Sequence, residues 1–237
     1  MELAPARTSG MHFLFRGHAS TSFALLSMVG RKPHLYGNLL DSERQCFNEF
    51  KELIQEENWQ KFKIKNYNDN MYYMSIGRHL GLDCRLLDWS ASYETALYFA
   101  VCDTKHSEED GHLWVMCYEN DIDDCNAKID PFHINSFTLV KECFGSEDDL
   151  PINNYPLGIV RRFCQNGFFS ILPSYQLTTP LDELDLDNVH FIHFTITASA
   201  KEDIRKHLQR DSNYLHLTKP SKIEEHIKVI NAKYFSQ

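Results

Sequence analysis

Between positions 42 and 56 the apolar residues Cys46, Phe47, Phe50, Leu53 and Ile54 return every three or four places, the spacing that gathers side chains on one face of an α-helix. Ser42 followed by Gln45 has the form of a capping box for its first turn. Residues 72–80 predict a second helix. A third starts after Ser92, whose hydroxyl can cap a run to about Cys102 with Ala96, Leu97, Phe99 and Ala100 on its apolar face. Aromatic and branched residues concentrate over strand-like lengths at 12–17, 112–118, 168–172 and 191–197. Two closing helices are expected, one where Ser199 is followed by Glu202 and one where Ser221, after Pro220, is followed by Glu224.

Residues 1–10, with Pro5, Ser9 and Gly10, show no periodicity and predict a flexible arm, and the polar stretch 59–70 predicts a surface connection. An acidic loop at 103–110 ends the third helix. Helices and strands alternate without a regular βαβ repeat, so the predicted class is α+β: one domain over 11–237, a mixed or antiparallel sheet with flanking helices.

Charge narrows the partners. Twenty-four basic residues against 33 acidic ones leave a formal charge of -9, which opposes general binding to nucleic-acid backbones or anionic membranes. No apolar run approaches the roughly 20 residues of a membrane span, and no apolar leader opens the chain. The seven cysteines form no C-x-x-C pair and are odd in number, which points to reduced thiols and a cytoplasmic location. The histidines lack metal spacing, and no metal site is expected.

Three constellations carry chemistry. In Phe15-Arg16-Gly17-His18 an arginine interrupts an apolar strand just before a glycine, whose missing Cβ permits a turn or a close backbone approach. The guanidinium fork needs a partner, either an internal carboxylate or the phosphate or carboxylate of a guest. His79-x-Gly81-x-x-x-Arg85-Leu86-Leu87-Asp88-Trp89 alternates leucines with Arg85, Asp88 and Trp89, as on a short strand with one polar side. An internal Arg-Asp pair and a packed tryptophan would also satisfy it. Cys84, beside Arg85, has a neighbour able to lower its pKa. The third run, Arg161-Arg162-Phe163-Cys164-Gln165-Asn166-Gly167-Phe168-Phe169, sets arginines and amides before an aromatic strand, where a solvated turn is the simple reading.

Taken in order, these blocks resemble the FRG domain, a family named for an N-terminal F/Y-R-G motif. Its central pattern, Q-H-x-G-x-x-T-R-L-L-D-W-T and then A-L-x-F-A, is similar to R-H-L-G-L-D-C-R-L-L-D-W-S and A-L-Y-F-A here, with Arg78 and Cys84 in place of the usual glutamine and threonine. Its R-x-x-Q-x-G-x-F is similar to R-R-F-C-Q-N-G-F-F, and Glu43 and Phe50 match its usual helix residues. A more distant resemblance is to mono-ADP-ribosyltransferases, which open with an arginine on a strand and carry S-T-S before a helix with A-x-x-F-A. Asp88-Trp89-Ser90 occupies the S-T-S place, and Ala96 to Ala100 the helix.

That resemblance implies an ADP-ribosyltransferase-like architecture and NAD as substrate, with an ADP-ribosyltransferase or NAD glycohydrolase activity and a nucleotide or protein acceptor. Under it Arg16 binds the phosphates, Trp89 faces nicotinamide, and Asp88 and Gln165 attend the ribose, with Glu43 a second candidate for the negative charge. Gly17, His18, His79, Arg85 and Ser90 complete the cofactor pocket. The alternative is an FRG module that binds a nucleotide or a protein without chemistry.

Overall fold

The chain forms β1 (His12–His18), α1 (Leu39–Glu56), α2 (Asn70–Leu80), β2 (Leu87–Ser90), α3 (Tyr93–Val101), β3 (Gly111–Tyr118), β4 (Asp123–Asp124), β5 (Thr138–Lys141), β6 (Gly167–Ile171), β7 (Val189–Ile196), α4 (Ala198–Leu208) and α5 (Lys222–Phe235). The computed structural model describes residues 10–32, 37–56, 70–119, 123–124, 129–141, 167–208 and 222–235. The expected arm at 1–9 and most of the 59–70 connection lie outside them. The strands make one sheet in the order β4-β5-β6-β2-β1-β3-β7, antiparallel throughout except for β4 beside β5. The class is α+β.

Strand alternation sorts the core. On one face Val140, Phe169 and Ile171 meet α1, α2 and α5 through Phe47, Phe50, Met74 and Ile227. Toward the other end of the sheet, Ile196 meets α3 and α4 through Tyr98, Val101 and Leu208. The opposite face gathers Leu14, Trp89, Trp114, Met116 and Phe168 beneath Leu25 and Leu181 of the loops.

Two helix starts differ from the sequence pattern. The first helix begins at Leu39, a turn early, and the Ser42 N–H bonds the Asn38 carbonyl, so Ser42 lies inside the helix and does not cap it. The helix expected from Ser199 begins at Ala198, and its N–H is taken by the Asp110 carboxylate at 2.8 Å, a cap supplied from a distant loop. Ser92 does cap α3, accepting from the Thr95 N–H at 3.2 Å.

Gly17 decides how α3 sits. A Cβ there would fall 1.8 Å from the Ala96 carbonyl oxygen and 2.6 Å from the Ala100 nitrogen, so the helix backbone lies directly on β1. The close approach expected of this glycine is to a helix of the chain itself. Lys201 of α4 is buried and ties the turn after β1 in place, donating to the Ala19 carbonyl at 2.6 Å and the His106 carbonyl at 2.7 Å.

Candidate functional site

β1 and β2 share a single register pair, Phe15 with Ser90, whereas β1 and β3 share seven. Beyond that pair the strands part, and a cleft of about 420 Å³ opens between them. Its floor is Phe15, Arg16, Gly17 and His18 against Asp88, Trp89 and Ser90. Arg78 and His79 of α2 stand on one side, Thr95, Ala96 and Phe99 of α3 on another. Ala19, Phe23 and Arg31 close it from the loop after β1, with Cys102 and Asp103 at the end of α3.

Asp88 organises the charges. Its Oδ2 takes the Arg78 Nη2 at 2.6 Å and Nε at 2.8 Å, and Arg16 Nη1 at 3.4 Å; the same Arg16 nitrogen bonds the Asp88 carbonyl at 2.7 Å. Burial would push the Asp88 carboxyl up, but Arg78 and then Arg16 outweigh it and hold it below its ordinary value. Burial brings Arg16 down to about 10, still charged at neutral pH. Arg31 donates only its Nε, to the Leu26 carbonyl at 3.2 Å. Among the described residues the terminal nitrogens of Arg31 and Nη2 of Arg16 bond nothing. Three guanidinium groups therefore face two carboxylates, Asp88 and Asp103, in a chain that is acidic as a whole.

His18 fixes the Arg16 fork. The Arg16 Nε–H donates to His18 Nε2 at 3.1 Å, which leaves the proton on Nδ1, 3.0 Å from the Phe23 carbonyl. Burial, with the Arg16 and Arg31 charges behind it, lowers the ring to about 3, so it is neutral at physiological pH. The unfolded chain protonates His18 near pH 6.5 and the folded chain does so near 3, so between those values the unfolded state binds more protons. This contribution to stability is complete above pH 6.5 and falls with pH through that window, by up to about 1.4 kcal/mol per unit. Denaturant midpoints measured from pH 7 to 4 are expected to drop more steeply in the wild type than in His18→Gln, which keeps an acceptor for Arg16 and does not titrate.

Of the residues expected at the site, Arg16, Gly17, His18, His79, Asp88, Trp89 and Ser90 line this one cleft. Arg85 does not. Its guanidinium is buried and paired with Glu43 through Nη2 at 2.6 Å and Nε at 3.0 Å, and it also bonds the Pro131 carbonyl at 3.0 Å. Both charges are thereby spent within the core, and Glu43, fully buried, supplies none to the cleft. The assigned stacking role of Trp89 does not stand either: the ring is 2% exposed, tilts against Phe191, and its indole N–H donates to Ser170 at 2.9 Å. Aromatic surface comes instead from Phe15, Phe23 and Phe99, all partly exposed. Burial pushes the Cys84 thiol up and outweighs the lowering by the Arg78 charge, while Arg85, its neighbour in sequence, is paired with Glu43. Gln165, with Arg161 and Arg162, lies outside the described residues.

Arg31 and Arg78 escaped the sequence reading as site residues, since one sits in a loop and the other on a helix end. The signal for Arg78 was its departure from the usual glutamine. Among the described residues, no group of three or more His, Cys, Asp or Glu side chains is placed to hold a metal ion, and no helix is long and apolar enough to cross a membrane.

No curated protein and no solved structure matches the chain. The FRG domain model matches residues 11–109, less than half of its length. That stretch nevertheless contains every residue lining the cleft, from Phe15 to Asp103. The match to the FRG domain model over residues 11–109 thus spans the whole of the cleft between β1 and β2.

Proposed function

We propose that the cleft binds a phosphorylated nucleotide, NAD in the first instance, and breaks its nicotinamide–ribose bond, passing ADP-ribose to water or to an acceptor. The observation that carries this reading is the excess of guanidinium groups in a cleft with aromatic walls, with N–H donors on Arg16 and Arg31 that are uncommitted among the described residues. A guanidinium fork matches phosphate oxygens two at a time, and about 420 Å³ falls in the range of small-ligand sites.

In the reaction the C1′–N bond breaks and its electron pair leaves with nicotinamide, which departs neutral. The ribose C1′ becomes cationic, as in glycoside cleavage, until a lone pair from water or acceptor closes on it and a proton is lost. To Asp88 falls the stabilising of that cation in this reading, and its double pairing, which keeps it ionised, supports the role. Phosphate drawn to Arg16 loosens that arm of the pairing and leaves Arg78 to orient the carboxylate. Gln165 is assigned the ribose hydroxyls from motif order alone. His18, neutral and already bonded at both nitrogens, holds Arg16 and is not the proton carrier.

Incubation with NAD is expected to release nicotinamide, and Arg16→Ala to reduce release at least a hundredfold, as loss of a charge-assisted phosphate contact of about 3 kcal/mol requires. Arg16→Lys keeps a charge and separates loss of the fork from loss of fold. A second reading, a module that binds a nucleotide unchanged, is favoured by the commitment of Asp88 to two arginines. A stoichiometric NAD complex with no nicotinamide released under any acceptor would select it and reject the enzyme.

A further inference from the structure

The two ends of the sheet are built differently. One end stops in β4, two residues long. The other is β7, eight residues in unbroken register with β3 from Val189 to Ile196, and its outer edge has no partner among the described residues. Such an edge leaves a row of backbone donors and acceptors, which most proteins blunt with proline, lysine or a bulge. The strand V-H-F-I-H-F-T-I has none of these. It also carries Ile192 and Phe194, 57% and 59% exposed, on the same face as the half-buried Val115 and Leu113 of β3.

We infer that β7 pairs antiparallel with β7 of a second copy of this chain, joining two sheets across a two-fold axis. Charge favours this occupant: the chain carries -9, yet β7 contains no Asp, Glu, Lys or Arg, so two copies can meet along it without opposing carboxylates. Symmetry fixes a register. Paired residues in an antiparallel ladder point to the same face, and an axis at His193 sets Ile192 against the partner's Phe194 and Phe194 against the partner's Ile192. The exposed apolar side chains of both copies then form one patch. Moving the axis to Ile192 or to Phe194 leaves one of them without its counterpart.

Sedimentation equilibrium of the full chain is expected to give twice the 27.7 kDa chain mass. Ile192→Lys should return it to 27.7 kDa, with its melting temperature measured alongside because the side chain is exposed and contributes little to the fold. The double variant Ile192→Cys/Phe194→Cys should form disulfide-linked dimers on oxidation, since the inferred register opposes the two positions. Ile192→Cys alone should not, because its two copies lie beyond the reach of a disulfide. A wild type that stays monomeric into the high-micromolar range overturns the inference and leaves the edge to a strand of another protein. A dimer that survives Ile192→Lys, or links equally through Ile192→Cys alone, overturns it as well.

Discussion

Glu43→Ala is expected to lower stability by about 3–5 kcal/mol, the cost of leaving a buried guanidinium without its counter-charge. Arg85 is 2% exposed and Glu43 fully buried, so neither can turn to water when the other is removed. The Glu43 carboxylate also accepts the Arg85 backbone N–H at 2.8 Å, so the substitution orphans main chain as well as side chain. A urea midpoint shift reads the loss directly. Replacing both members, Glu43→Leu with Arg85→Met, removes the unpaired charge and should recover much of the stability. That double variant also separates two roles for a motif arginine. It is expected to retain nucleotide binding, because Arg85 lies outside the cleft; loss of binding with the fold intact would return Arg85 to the site.

Gly17→Ala is expected to be as damaging from one added methyl. Its Cβ would meet the Ala96 carbonyl oxygen and the Ala100 nitrogen, both backbone atoms of α3, which cannot swing aside as a side-chain tip can. Overpacking of an ordinary core costs about 1–3 kcal/mol, and a clash with rigid helix backbone should exceed that. The helix must lift from β1, and Thr95, Ala96 and Phe99 move with it out of the cleft wall. A melting temperature equal to that of the wild type would contradict this packing.

The sequence was legible where a local rule had no rival. Apolar periodicity located the body of α1, an apolar segment located α2, aromatic density located β1, β3, β6 and β7, and Ser92 caps α3 as its side chain predicts. The start of α4 was misplaced because a tertiary partner intervened: it takes its cap from Asp110, more than eighty residues away. At the site, the charged residues of the first two motifs divide according to burial, which spacing does not encode. Asp88 and Arg85 lie three apart, yet one faces the cleft and the other is sealed against Glu43. Arg31 and Arg78 join Arg16 only because a loop and a helix end converge where β1 and β2 part. Ala96 and Phe99, on the predicted apolar face of α3, serve also as cleft wall.

The proposed chemistry requires an anionic guest between β1 and β2. A crystal structure of the chain soaked with ADP-ribose is predicted to place a phosphate oxygen within hydrogen-bond distance of Arg16 Nη2, with Arg31 closing on the same group and Asp88 still held by Arg78. A structure with the nucleotide bound elsewhere, or with the cleft unchanged and Arg16 contacting only Asp88 and His18 at saturating ligand, would contradict it.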